Sequence, residues 1–588
     1  MFVTWILIRY YKTTKSKRKQ QKDNIESSAG YHSFSHPISI KIHGPHLLIC
    51  KHPHFLLFHS LSSFPSPITF IEMEWVSGII FILLTLGLIC AWKLLNWLWL
   101  RPRKLEKLLR EQGLHGNSYR ILVGDVKDLF KMEKEAKSKP MNLYDDIIPR
   151  VSPYIQQSVK IHGKNSFIWF GTKPRVTLTE PEQIKDVLNK ISEFPKTNYK
   201  IFKLLASGLA SHEGEKWSKH RRLINPAFHL EKLKIMTPSF FTSCNDMISE
   251  WKKMLSSDGS CEIDIWPSLQ NLASDAISRT AFGSSYEEGK RIFQLQRELA
   301  ELLIKVVTKS VIPSWMFLPA IVHRKMNEID RDIKSSLKDI INKREKALKT
   351  GESTENDLLS ILLESNHKEI EENANNKNVG MTLEDVVEEC KLFYFAGQET
   401  TSVLLVWTMI LLSRYPNWQQ RAREEVLQIF GNKKPDFDGL NNLKIVTMIL
   451  YEVLRLYPPV VGLSRNIEKD VKLGNLILPA GVEVFLPILL LHHDCELWGD
   501  DAKIFNPERF SGGISKATNG RVSFFPFGWG PRICIGQNFS LLEAKMAIAM
   551  ILQYFSFELS PTYAHAPSPV VTLQPQYGAQ IIIRKVET

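Results

Sequence analysis

The sequence predicts a mainly α-helical domain with a small β part, behind one apolar segment long enough to cross a bilayer. Three observations predict this class. Residues Thr382 to Arg414 carry a helix start, a long apolar run and a stop. Strand-like patterns are confined to short runs near the two ends of the folded region, with helical spacing between them. Trp75 to Trp92 is almost uninterrupted apolar sequence.

Composition narrows the function classes. The chain has 588 residues, 44% of them hydrophobic, which is ample for a large core. Its seven cysteines are scattered and none forms a CxxC pair, so neither a disulfide framework nor a zinc site is expected. A formal charge of +13 reads first as a solvated basic surface. Attraction to a membrane surface or to an acidic protein partner is its functional version. There is no nucleic-acid reader motif, and no nucleic-acid partner is expected.

The N-terminus comes first. Residues 1–72 hold a short apolar start, a basic run from Lys12 to Lys22, and a His-, Ser-, Pro- and Phe-rich stretch without helical or strand period. We read them as an extension outside the native protein, or one without a fold, and Met73 as the natural start. Native peptides from Tyr31 to Phe70 would overturn this. Residues 73–100 read as a single transmembrane anchor, close to the ~20 residues that span a bilayer. Trp92, Trp97 and Trp99 suit the interface, and Arg101, Arg103, Lys104 and Lys107 follow the span. The positive-inside rule then places the rest of the chain in the cytoplasm. A cleaved signal peptide is the competing reading. Residues 101–116 are expected as a juxtamembrane linker, and 117–588 as one catalytic domain.

Within that domain, Ser166 to Leu178 reads as a two-stranded hairpin turning at Gly171, followed by a short helix from Pro181 to Ile191. Trp217 and Arg221 are four apart on one face of a predicted helix. Asn366 to Lys377 is charged and Asn-rich and reads as a solvated loop. Thr382 is an N-cap with Asp385 three residues on, and Pro416 stops the helix they open. That helix would be on the order of 45–50 Å long. Apolar residues surround it from Leu392 onward, which means burial. A second membrane span is the alternative, and the polar cluster Gly397-Gln398-Glu399-Thr400-Thr401 argues against it. A buried acid and hydroxyl side by side can move protons; a threonine bonded to the carbonyl one turn back is the plainer reading. Glu452 and Arg455 are three apart in an apolar helical run, so their ion pair is expected to be buried. Finally, Phe525 to Gly536 places Cys534 among three glycines and three aromatics, at the start of a helix that follows. A helix N-terminus favours a thiolate, and a thiolate on a rigid loop can ligate a metal.

These stretches together resemble the cytochrome P450 family. Phe527-x-x-Gly530-x-Arg532-x-Cys534-x-Gly536 resembles its haem-binding signature, Ala396 to Thr401 its oxygen-binding segment, Glu452-x-x-Arg455 its ExxR element, and Phe505 to Phe510 the element downstream. With Trp217-x-x-x-Arg221, which resembles its WxxxR element, these are five motifs in the family's order, and the resemblance covers about residues 110–588. The wording around them, including His492-His493-Asp494 and Gln574 to Ala579, is similar to plant clan seventy-two enzymes, secologanin synthase and triterpenoid oxidases among them. The departures are the N-terminal extension and a missing proline-rich hinge.

The resemblance implies a long central helix lying over a haem b. Cys534 would be the iron ligand, Phe527 would shield the sulfur, and Gly530 and Gly536 would shape the loop. Arg532, Trp217, Arg221 and Arg465 would hold propionates. Ala396 and Gly397 would leave room for dioxygen, with Thr400 and Glu399 as the proton relay. Glu452, Arg455 and Arg509 would form a structural cluster. Phe393, Val461 and Val571, with the loop from Leu204 to Leu209, would face substrate. The implied activity is insertion of one oxygen atom from O2 into a hydrophobic small molecule, most simply a terpenoid, on the cytoplasmic face of the endoplasmic reticulum. The chain has no GxGxxG site and no flavin domain, so electrons from NADPH would come through a partner cytochrome P450 reductase, with cytochrome b5 as a second donor. Hydroxylation of a plant hormone or fatty acid, a reductase-independent isomerase or dehydratase, and a non-catalytic haem sensor are the alternatives.

Overall fold

The computed structural model describes residues 67–197, 202–283, 286–309, 320–350, 357–372 and 379–586. The expected extension, 1–72, lies outside them as far as residue 66. By its contacts the chain divides after Ile82 into two units. Helix α1 (Pro67–Leu95) runs across that boundary. From Val76 onward its apolar side chains are exposed, Phe81 by 68% and Leu88 by 70%. Such a surface is unfavourable in water and suited to a bilayer.

Residues 101–116, expected as a linker, are folded instead. A π-turn (Asn96–Leu100) leads into α2 (Arg101–Glu111), which buries Leu105, Glu106 and Leu109. The dense charge hid an amphipathic helix. Its one buried acid, Glu106, is answered by Arg110 at 3.0 Å. Strand β1 (His115–Gly116) then pairs with β2 (Ser166–Phe170).

The predicted hairpin forms. β2 pairs antiparallel with β3 (Lys173–Thr177), Phe167 opposite Val176, and Gly171 makes the turn at φ +65°. β4 (Leu463–Asn466) and β5 (Glu483–Leu486) complete a five-stranded sheet in the order β1-β2-β3-β5-β4. A three-stranded sheet joins Ser260–Asp264, Gln580–Lys585 and Phe555–Leu559.

Helices build the rest of the core. α3 (Gly214–Ile224) carries the Trp217–Arg221 face. α4 (Ile265–Phe282) is capped by Asp264, whose carboxylate accepts the Trp266 N–H, and stops at Gly283 with φ +58°. α5 (Leu383–Arg414) is the long helix, 32 residues or about 48 Å. Its start is a reciprocal capping box. The Asp385 N–H reaches Thr382 Oγ1 at 3.2 Å, and the Thr382 N–H reaches the Asp385 carboxylate at 3.1 Å. Its most apolar window is 78% buried in the protein, so it is a core helix. α6 (Lys444–Leu456) and α7 (Gln537–Tyr554) pack in the same core.

The expected loop from Asn366 is corrected in part. Residues 366–372 continue the helix Leu358–Glu372, and 373–377 lie outside the described residues. Asn366 is buried because its amide spans the Met381 backbone, at 3.0 and 2.6 Å. The six cysteines among the described residues are free.

Candidate active site

The cysteine loop is held from several directions. The Phe525 N–H donates to His492 Nε2 at 3.0 Å, Gly528 N–H to the Phe525 carbonyl at 3.0 Å, and Cys534 N–H to the Phe527 carbonyl at 2.9 Å. Gly530 sits at φ +70°, and a Cβ there would lie 2.8 Å from the Leu188 carbonyl oxygen. Only glycine fits both demands. A 3-10 turn (Gly530–Arg532) follows, and α7 begins just past Gly536.

Cys534 is accessible in the structure and lines a cavity. Burial pushes its thiol up; the Gly536 N–H and the charges of Arg221 and Lys196 pull the other way. The helix N-terminus alone therefore does not make a free thiolate here. A cationic partner at the sulfur would.

That cavity has a volume of about 340 Å³ and an apolar lining that includes Leu209, Ile277, Phe393, Leu404 and Val460. Ala396, Gly397, Thr400 and Thr401 of α5 also line it, as does Cys534. Four cations reach it: Lys196, Arg221, Arg465 and Arg532. No acid lines it among the described residues, and a single carboxylate nearby, Glu213, pairs with Arg532. Arg221 donates to the Ile533 carbonyl at 2.8 Å, and Arg532 stacks over Trp217 at 4.4 Å. Arg465 is buried and its Nε has no partner. Burial and then the Arg532 charge push its guanidinium down to about 10. Burial, then Arg465 and Arg532, push Lys196 down to about 7. One buried and three partly buried cations in such excess call for an anion. A flat ligand bearing two carboxylates and a thiolate-bound metal meets the charge, the orphaned Nε and the sulfur together.

Not every expected site residue meets at the cavity. Thr400 does, with its hydroxyl donating to the Ala396 carbonyl at 2.7 Å. Glu399 turns away. Its carboxylate accepts from Thr572 Oγ1 at 2.6 Å and from the Gln574 amide. Gly397 lines the cavity, and it also lets α4 approach, since a Cβ there would be 2.8 Å from Ile277. Phe393 and Leu209 line it; Val461 and Val571 do not. Neighbouring Val460 does, as does Pro459 before it. Lys196 went unrecognised in the sequence. Its only signal is a lone lysine after Pro195, and it reaches the site through a bridge to Arg465.

The ExxR pair is fully buried and bidentate, at 2.8 and 2.7 Å. Arg455 also donates to the His492 carbonyl at 2.7 Å, and Arg509 approaches Glu452 at 3.7 Å while pairing with Asp501 at 2.8 Å. This cluster lies outside the cavity lining and grips the carbonyls of His492, Ala502 and Ile504, His492 in turn accepting the Phe525 N–H before the cysteine.

Comparison with known proteins agrees with this geometry. The family model described as Cytochrome P450 matches residues 151–582. Cytochrome P450 72A68 of Medicago truncatula is 69% identical over 519 residues, 88% of this chain and 100% of that protein. Cytochrome P450 CYP72A219 of Panax ginseng is 60% identical over 87% of this chain and 100% of its own length. The 11-oxo-beta-amyrin 30-oxidase of Glycyrrhiza uralensis is 58% identical over 87% of this chain and 99% of its own length. The thiol-bearing loop, the cation-lined cavity and these matches lead to one conclusion: the chain belongs to the cytochrome P450 family and is a haem-thiolate monooxygenase.

Proposed function

We propose that the chain is a membrane-anchored enzyme that inserts one oxygen atom from O2 into a terpenoid-type hydrophobic molecule. A substrate C–H becomes C–OH, the second oxygen leaves as water, and the two electrons come from NADPH through a separate reductase. The observation that carries this reading is the excess of buried and partly buried cations beside a cavity-facing thiol. Cytochrome b5 as a second electron donor belongs to the same proposal.

Haem, when bound, supplies the binding and activation of dioxygen. The chain's own residues supply the rest. Cys534 Sγ would ligate the iron. Lys196, Arg221, Arg465 and Arg532 would answer the propionates, with Trp217 stacked against Arg532. Leu209, Phe393 and Val460 exclude water and present an apolar wall to the substrate. Thr400 holds a hydroxyl proton at that wall. Glu399 joins it only after leaving Thr572 and Gln574. Thr400→Ala should cut turnover roughly a hundredfold with haem content unchanged. Equal turnover would remove Thr400 from the relay.

Terpenoid oxidation is supported by the relative named 11-oxo-beta-amyrin 30-oxidase. An anchor in the endoplasmic reticulum, with the catalytic domain in the cytoplasm, is supported by exposed apolar α1 and the cations from Arg101 to Lys107. Microsomes with co-expressed reductase, fed a terpenoid and gibberellin panel, test the reading by mass spectrometry. A terpenoid product one oxygen heavier, formed only with NADPH, is expected. Products from gibberellins alone would move the substrate class. The outward engagement of Glu399 favours one second reading, a reductase-independent isomerase. NADPH-independent turnover of a pre-oxygenated lipid would identify it.

A further inference from the structure

Glu389 is fully buried on α5, well before Thr400, and no role above uses it. Both its oxygens are engaged by cavity walls. Oε1 lies 2.6 Å from His220 Nδ1, and Oε2 accepts the Leu209 N–H at 2.9 Å. His220 sits on α3 between Trp217 and Arg221, while Leu209 and Ala210 line the cavity. Gly208 is shaped around the same carboxylate: its φ is +57°, and a Cβ there would lie 2.5 Å from Glu389 Oε2.

The contacts continue to the cysteine loop. The His212 ring packs edge-on against His220 at 4.6 Å. The His212 carbonyl accepts from Arg532 at 3.0 Å, and Glu213 pairs with Arg532 and accepts the Lys196 N–H at 2.9 Å. A continuous path of hydrogen bonds and packing thus runs from the long helix to three of the four cavity cations or their helix. His212, His220 and Glu389 also bring ligand-type atoms within 4.8 Å of one another. The direct His220–Glu389 contact at 2.6 Å and the Leu209 N–H on the second oxygen form a clamp, and zinc binding at the trio is an outcome of the test below.

We propose that Glu389 is a positioning residue: through His220 and the Gly208–Leu209 turn it fixes the walls that carry the cations, and so sets how tightly haem is held. The inference rests on the haem-thiolate reading. The two fail differently, because wild-type protein without haem sinks the reading, whereas haem held as tightly without Glu389 sinks only this inference.

The test is the rate of haem transfer from purified full-length protein to excess apomyoglobin. Glu389→Ala and His220→Phe should each release haem about tenfold faster. The double variant should be no faster than the worse single, because both break one clamp. Glu389→Gln keeps an acceptor for Leu209 and an amide for His220, and should stay within roughly threefold of wild type. Gly208→Ala should speed release in wild type and less in Glu389→Ala, where the clash is gone. If Glu389→Ala accumulates no haem, Gly208→Ala and Glu389→Gln decide. Additive single effects, or wild-type release from Gly208→Ala, would overturn the proposal. So would a zinc-dependent rate lost in Glu389→Ala, which would mark a metal site.

Discussion

Two arginine-bearing clusters border the cysteine loop, and they differ in how their charges are answered. Around Glu452, Arg455 has its carboxylate at 2.7 Å and backbone carbonyls for its remaining N–H groups, and Arg509 has Asp501 at 2.8 Å, while its Nε, without a hydrogen-bond partner, lies 3.7 Å from the Glu452 carboxylate. Around the cavity, Glu213 is the one carboxylate paired with any of the four cations among the described residues, and Arg465 keeps an Nε with no hydrogen-bond partner. Buried charge answered by carboxylates is architecture. Buried charge left in excess is a seat for a ligand of opposite sign. The same residue type carries both roles, and only its partners tell them apart.

The sharpest way to break that contrast is to remove one arginine from each cluster. Arg455→Ala strips buried Glu452 of its bidentate partner, leaving Arg509 at 3.7 Å and the Asn506 N–H, and should cost about 3–5 kcal/mol, enough to abolish haem-loaded protein. Expression yield and thermal melting would show it. Arg465→Ala removes a cation that has no acid to lose. The haem-free chain should melt no lower than wild type, while haem release rises about tenfold. A haem-free Arg465→Ala as unstable as Arg455→Ala would erase the distinction.

A smaller effect sharpens it. Lys196 titrates near 7 in the folded chain because burial and two arginines oppose its charge. An unfolded lysine titrates near ~10.4. Between those values the unfolded chain binds a proton that the folded one lacks, so stability of the haem-free protein should rise with pH across this window. Below about 7 both states hold the proton and the penalty is full. Melting from pH 7 to 9 should show the rise, and Lys196→Met should flatten it. An unchanged slope in Lys196→Met would remove Lys196 from the unanswered group.

Local chemistry made much of this legible in advance. Thr382, Asp385 and Pro416 mark the long helix because caps and stops act within a few residues. Cys534 and its glycines mark the loop for the same reason. What depends on tertiary approach was hidden. Lys196 joins Arg465 through a strand bridge across a large sequence separation. Glu399 and Thr400 are adjacent, so on a helix they point about 100° apart, and only one faces the cavity. Residues 101–116 looked like a linker because charge on one face outweighed the apolar stripe at Leu105 and Leu109.

The measurement closest to the centre is the carbon monoxide difference spectrum of purified Cys534→Ser beside wild type. Wild type should show the Soret band of a sulfur-ligated carbonyl, and the serine variant should lack it. A serine variant that keeps that band would contradict the account, as would wild-type protein that never carries haem.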